Sequence, residues 1–407
     1  MRRQRLATTL LAVGSTVLAL GVAEIVLRNV RTFAAETSSE YLVPHPTLGW
    51  SLMPGGRYQT APDGDLFEVA YNTRGWRDVE RTPGPVGTPR VVVLGDSFME
   101  GYTVRLEDAF HRQLQARLRR EHPEAQVVNL GVSGYGNLQA LLAYELEGRR
   151  YQPDLVLLGF YLHNDLRDNS QEIESLRKPG SMKARNRPFL EPGEGWEITV
   201  VEAERSQRRY EAALARRASW WWRLGNVSHL WRMTFTSWID SALRRIEEGP
   251  PIEDTLTREQ RRELELAVFG CEVPPVYQRA LEITKRVLVG LAERVRADGA
   301  QLVVFSVPSE YESVPVARGF TDEDLPCRRN PPLYAPIAAF LAEQGIPWID
   351  LVPAFQREMQ DGEPLFALLD SHWNAAGHAY AAKLVEQRLE ALGLPEPAKQ
   401  APPADRS

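Results

Sequence analysis

Cysteine is nearly absent: Cys271 and Cys327 are the only two in 407 residues. That excludes a thiolate-rich metal module and leaves room for one disulfide at most. A concentrated basic surface is missing too, since 48 Lys and Arg stand against 54 Asp and Glu, a formal charge of -6. Phosphate backbones are held by clustered cations, so nucleic acid is a poor candidate partner. No G-x-G-x-x-G follows the first strong strand signal, where L-G-D-S-F-M-E-G stands instead. This removes the dinucleotide fingerprint. His372 and His378 lack a spaced ligand set, and neither metal nor cofactor is implied.

Long hydrophobic runs are scarce as well, with one exception. Arg2, Arg3 and Arg5 precede an apolar run, Ala7–Leu27, broken by the single charge Glu24. About 20 such residues can span a bilayer as a helix. The arginines ahead of it favour a cytoplasmic N-terminus. The run therefore predicts a single-pass anchor over 1–31, with the lipid bilayer as partner and the remaining chain on the periplasmic or extracellular side. A cleaved signal peptide, with small residues near Ala34 and Ala35, is the alternative.

Turn signals crowd residues 32–89, among them Pro54-Gly55-Gly56, Asp63-Gly64 and Pro83-Gly84-Pro85, and predict a strand-and-loop lead-in. Apolar runs then alternate with helical patterns. Strands are predicted at Arg90–Leu94, Gln126–Leu130, Asp154–Phe160, Gln301–Val307 and Pro347–Leu351. Helices are predicted from Leu106 to Arg120 and near 136–149, 275–298, 332–344 and 375–391. Near-continuous apolar strands separated by helices imply a parallel sheet covered on both faces, a three-layer α/β/α domain. Its halves, 90–170 and 273–393, flank an interruption at 171–272 that holds Trp220, Trp221, Trp222, Trp231, Phe235 and Trp238. That stretch reads as a local helical core or as a lid. Residues 394–407, rich in Pro and Ala, read as a tail.

The chemistry concentrates at strand ends. R-V-V-V-L-G-D-S-F-M-E-G, residues 90–101, delivers Gly95, Asp96 and Ser97 to a tight turn at the edge where parallel sheets place ligands. Alone, Asp and Ser there are ordinary helix caps. N-L-G-V-S-G-Y-G-N, residues 129–137, brings Gly131 to the same edge, and His163-Asn164-Asp165 follows the third strand. The Ser97 amide, the Gly131 amide and the Asn164 side chain make three candidate oxyanion donors. Finally L-L-D-S-H-W-N, residues 368–374, supplies His372 as a base for the serine hydroxyl and Asp370 to orient it. Trp373 and Asp96 are candidate pocket residues. His378 reads as structural, Asn374 as a helix cap, and Asp165 and Asp168 as turn or lining residues.

These residues, in this chain order, resemble the SGNH, or GDSL-type, hydrolase family over about 90–170 and 275–391. The resemblance implies a flavodoxin-like sandwich with a Ser97-His372-Asp370 triad and an oxyanion hole of Ser97, Gly131 and Asn164. The family's common block is D-x-x-H, whereas here Asp370-x-His372 stands with Leu369 at the usual acid position. A D-x-H-W block is similar to that of bacterial alginate O-acetylation proteins, which place it before the serine. P-H-P-T-L-G-W at 44–50 and Y-N-T-R-G-W-R-D at 71–78 resemble membrane-anchored bacterial SGNH proteins of envelope or exopolysaccharide systems. Within the latter block, Arg74 and Arg77 either bind anions or tie the lead-in to the core.

Three functions stand as expectations. The first is an exported serine esterase acting on acyl, above all O-acetyl, esters of envelope carbohydrate or small esters. The second is an O-acyltransferase working with polysaccharide machinery through the same acyl-enzyme. The third is a non-catalytic carbohydrate-binding or assembly protein on a retained fold. Export would also let Cys271 and Cys327 pair; two separate thiols are the alternative.

Overall fold

The computed structural model describes residues 2–29, 42–84, 88–177, 182–191, 197–200, 256–368 and 370–394, with single positions between 208 and 231. They fall into two units. One comprises Met1–Ala35 and Glu204–Ile252, the other Glu36–Ala203 and Glu253–Ser407.

In the first unit, helix α1 runs over Arg2–Asn29. Among the described residues no helix is long and apolar enough to cross a membrane, which corrects the expected anchor. Between Leu11 and Val26 α1 carries the acidic Glu24 and the polar Ser15 and Thr16. Within that stretch the Ser15 and Thr16 hydroxyls fold back onto the Ala12 carbonyl at 3.0 and 2.8 Å. The bilayer as a partner and the single-pass placement with the chain on the periplasmic or extracellular side rested on that span and fall with it, and so does the membrane-anchored part of the resemblance carried by residues 44–50 and 71–78. Of the aromatic cluster, Trp220 and Trp231 are described, with ring centroids 6.2 Å apart. Trp221, Trp222, Phe235 and Trp238, and with them the choice between core and lid, lie outside the described residues.

The second unit opens on two antiparallel hairpins, β1 (Leu42–His45) with β2 (Gly49–Leu52), and β3 (Arg57–Thr60) with β4 (Phe67–Ala70). Buried polar contacts tie this lead-in to the residues after the first sheet strand. Arg77 donates to the carbonyls of Glu100, Gly101 and Val104, and Arg74 forks onto Glu147. Both arginines therefore hold the lead-in to the core.

The sheet has five parallel strands: β5 (Arg90–Leu94), β6 (Gln126–Asn129), β7 (Leu155–Phe160), β10 (Gln301–Ser306) and β11 (Trp348–Ile349). Their order is β11-β10-β7-β5-β6. In register, Val93 lies beside Leu157 and Asn129, and Phe305 beside Gly159 and Ile349. Every residue of β5 and β7 is buried, as strands covered on both faces require. Val91, Val93, Leu155, Leu157, Val303 and Phe305 share one core with α3 (Phe110–Leu118) and the last helix, Ala375–Ala391. The opposite face lies under α4 (Asn137–Leu146) and the long helix Pro275–Ala297. In chain order the strand arrangement is 2-1-3-4-5, whose switch point lies between β5 and β7. Open α/β sheets bind ligands there, outside the carboxyl ends of the strands.

Boundaries shift where local backbone intervenes. The helix expected over 106–120 is broken at Ala109, which is extended (φ -65°, ψ 147°), leaving a short 3-10 turn at Leu106–Asp108. After β7 comes α5 (Leu162–Asp168), and within the interruption expected over 171–272 lie α6 (Gln171–Arg177), α7 (Met182–Asn186) and a hairpin of β8 (Pro188–Leu190) and β9 (Ile198–Val200). A disulfide joins Cys271 and Cys327, with Cα atoms 5.1 Å apart.

Candidate active site

Strand β5 ends at Gly95, whose φ of +150° and proximity to Met99 leave no room for a Cβ. The chain then turns into α2, Ser97–Glu100, with Asp96 as its cap accepting from the Phe98 amide at 2.9 Å. Asp96 is buried, and burial pushes its carboxyl above the ordinary range against the pull of the Phe98 and Asn164 donors. Ser97 thus occupies the first position of α2, half-buried, with its hydroxyl free to turn toward the sheet edge.

His372 meets it there. Ser97 Oγ lies 2.6 Å from His372 Nε2, and Asp370 Oδ1 contacts Nδ1 on the far side of the ring. Asp370 Oδ1 also accepts from the His372 backbone amide at 3.0 Å. Burial alone would raise the Asp370 carboxyl, but the hydrogen bond and charge of His372 outweigh it and hold the group at about 2. Spacing D-x-H suffices because the loop doubles back on itself: Ala367 donates to the His372 carbonyl at 2.9 Å and Asn374 to Leu365 at 3.0 Å. Phe98 lies against the imidazole with centroids 4.6 Å apart.

One member of this group has no local signature in the sequence. The Tyr102 hydroxyl donates to Asp370 Oδ2 at 3.0 Å and lies 3.3 Å from His372 Nδ1. Burial and the Asp370 charge push its phenol well above the usual range, so it stays a neutral donor.

A cavity of about 300 Å³ opens over Ser97 and His372, and Tyr102, Gly134 and Asn164 line it as well. Gly131 does not. Its N–H donates to Asn129 Oδ1 at 3.0 Å, and its Cα packs on Met99 and Glu100. Gly134, three residues on, has φ +78°, and a Cβ there would overlap the Lys183 ammonium. Neither the Gly134 nor the Ser97 backbone N–H donates to any other described residue. Asn164 Nδ2 reaches Asp96 Oδ2 at 3.1 Å and Asp168 Oδ2 at 3.5 Å.

The two candidate pocket residues sit behind the site instead of in the cavity wall. Trp373 is fully buried, its indole N–H donating to Pro308 O at 3.0 Å and its ring against Phe98 and Phe355. Asp96 serves as cap and as partner of Asn164. His378 is buried and accepts from the Phe110 amide at 3.2 Å, and burial drives its imidazole well below its ordinary value. Asp165 accepts from Tyr161 N and Asn137 Nδ2 within the turn after β7. Asn374 caps the last helix through Gly377 N at 2.9 Å.

Residues 93–219 match the model of the GDSL-like Lipase/Acylhydrolase family. Residues 272–405 match that of the SGNH hydrolase-like domain, acetyltransferase AlgX. The first segment contains Ser97 and the second His372, the pair that the fold brings to 2.6 Å. The chain is an SGNH-type serine ester hydrolase.

Among solved structures, the hydrolase is similar to the acetyl xylan esterase AlAXEase at 10% identity, covering 74% of this chain and 99% of that one, with a TM-score of 0.38. A two-domain esterase active on acetylated mannans shares 11% identity over 77% of this chain and 52% of its own, TM-score 0.36. A GDSL-like lipase from Bacteroides thetaiotaomicron VPI-5482 shares 12% over 75% and 89%, TM-score 0.32. TM-scores this low bear on neither substrate nor mechanism. No curated protein matches the hydrolase.

Proposed function

We propose that the hydrolase removes acyl groups, O-acetyl above all, from carbohydrate hydroxyls through a Ser97-His372-Asp370 triad. The observation that carries this is the continuous line from Ser97 Oγ through His372 Nε2 and Nδ1 to Asp370, at the mouth of a polar cavity. Asp370 accepts the proton of Nδ1, which leaves the Nε2 lone pair toward the serine. Ser97 Oγ then attacks the ester carbonyl while its proton passes to Nε2. The carbonyl oxygen takes up negative charge and is met by the Ser97 and Gly134 amides and by the Asn164 N–H that gives up its long 3.5 Å contact with Asp168, the other N–H staying on Asp96. Gly134 takes the place expected of Gly131, whose amide is already bound to Asn129. Collapse expels the sugar hydroxyl, which leaves with the proton from His372. Water, deprotonated in turn by His372, attacks the acyl-enzyme and releases the carboxylic acid. Tyr102 steadies the far oxygen of Asp370.

Ser97→Ala is the direct test, with 4-nitrophenyl acetate as substrate. Loss of a triad serine is expected to cost about 10⁴-fold or more in kcat. A folded variant that turns over at the wild-type rate would move the nucleophile elsewhere.

A second reading, O-acyl transfer, is favoured by one observation. The segment carrying Asp370 and His372 matches a model described by an acetyltransferase. Transfer replaces water by a sugar hydroxyl in the second half-reaction. Acetylated acceptor sugar formed at the expense of free acetate would select it.

A further inference from the structure

The cavity beside Ser97 is lined by more cations than an ester needs. Arg167, Arg177, Lys183 and Arg187 all face it, and Asp168 is the acid among the lining residues. Asp168 sits 3.1 Å from Arg167 Nε and 3.4 Å from Arg187 Nη2. Arg177 is matched from outside the cavity by Glu174 at 3.3 Å and Glu265 at 3.0 Å. Three carboxylates thus face four cations. Lys183 is the cation left over, with no carboxylate within 4.0 Å among the described residues.

Arg187 shows the same shortage. It is 1% exposed; Nη1 donates to Gln139 Oε1 at 2.7 Å, Nη2 meets Asp168 only as a 3.4 Å ion pair without hydrogen-bond geometry, and Nε has no hydrogen-bond partner. Buried charged donors left unpaired are costly, and such a cost is retained where a ligand supplies the missing acceptor. Burial lowers Lys183 only to about 8, so it remains a cation at neutral pH.

We propose that this cavity holds a carboxylate of the substrate, borne by the same acidic sugar unit that carries the ester, with Lys183 as its direct partner and Arg187 as a second donor. This rests on the ester-hydrolase reading of Ser97. Position fixes the same unit: the Lys183 ammonium lies over Gly134, the turn that also offers an amide to the reacting carbonyl. Charge fixes the group, because one surplus cation is balanced by a carboxylate and overbalanced by a phosphate dianion.

The test compares two O-acetylated methyl glycosides, of glucuronic acid and of glucose, with 4-nitrophenyl acetate as a neutral reporter of Ser97. Wild-type kcat/KM is expected to favour the acidic ester by about 10–100-fold, mostly through KM, the range of one charged hydrogen bond. Lys183→Gln should lower that ratio by about tenfold or more. An equal preference in the wild type, or an unchanged ratio in the variant, overturns the subsite. So does a loss equal for both esters, which would make Lys183 a partner of the oxyanion, and so does a stronger preference for an acetylated sugar phosphate. If the wild type leaves 4-nitrophenyl acetate intact, the serine reading has failed. The subsite is then read by calorimetry: Lys183-dependent binding of glucuronate over glucose supports it, and equal or absent binding overturns it.

Discussion

At the residue scale, the proposed triad separates a base, His372, from the group that orients it, Asp370. Asp370→Asn keeps the shape of the loop but can donate where Asp370 accepts, which favours the wrong imidazole tautomer. The expected loss in kcat is about 10²–10⁴-fold with KM little changed. Tyr102→Phe removes one hydrogen bond to a carboxylate that keeps two others, so a loss of about tenfold or less is expected. A larger loss would give the phenol a direct part in the reaction. Asp370 also links stability to acidity. Its native value of about 2 lies below the unfolded one, so its contribution is complete above the unfolded value and is lost as pH falls toward 2. Urea unfolding at pH 5 and near pH 2 should show the stability gap between wild type and Asp370→Asn closing on the acid side. Ser97, His372 and Asp370 are legible in the sequence because motif and strand ends announce them. Tyr102, Lys183 and Arg187 are not, since their proximity is created by packing between segments far apart in sequence. Gly134 is within reach: it lies in the Ser133-Gly134 turn, but the first glycine after the strand, Gly131, is the more obvious donor. Only the hydrogen bond that the Gly131 amide donates to the Asn129 side chain favours Gly134 as the proposed donor.

At the element scale, turns carry the precision of the site. The segment from Leu130 to Gly136 must fold back under Lys183, and Gly134 can do so only with a positive φ and no side chain. Gly134→Ala should therefore cost about 1–2 kcal/mol of stability from the left-handed backbone alone. Its activity should fall further than that loss explains, because the amide proposed to meet the carbonyl moves with the turn. Thermal melts beside kcat measurements on the same samples would separate the two effects. The strands themselves are plain in the sequence, as runs like Val91-Val92-Val93-Leu94 are apolar on both faces and stop at glycine. The two-residue β11 is shorter than its sequence pattern, because Pro347 and Asp350 look like ordinary strand flanks until hydrogen bonding ends the ladder at Ile349. The apolar run at the N-terminus forms the expected helix, but not the span inferred from it.

At the scale of the whole molecule, the disulfide closes a loop with a sequence separation of 56, bridging the approach to the helix Pro275–Ala297 and the segment before Asn330. Chain entropy alone assigns such a closure about 4 kcal/mol. Reduction should lower the melting temperature markedly while leaving the Ser97-His372 pair intact in molecules that remain folded. A melt with and without dithiothreitol, and kcat measured well below either transition, checks both statements.

The sheet order also sets a timetable. Strand β7 ends at Phe160, and the strand that covers its open side, β10, begins only at Gln301. While the chain emerges from the ribosome at about 5–20 residues per second, that interval leaves β7 an edge for on the order of ten seconds. An uncovered, wholly apolar edge is a template for any neighbouring nascent chain on the same messenger. Yield of this protein should therefore depend on how fast the stretch between the two strands is translated, and crowded polysomes should be where it is lost to aggregation.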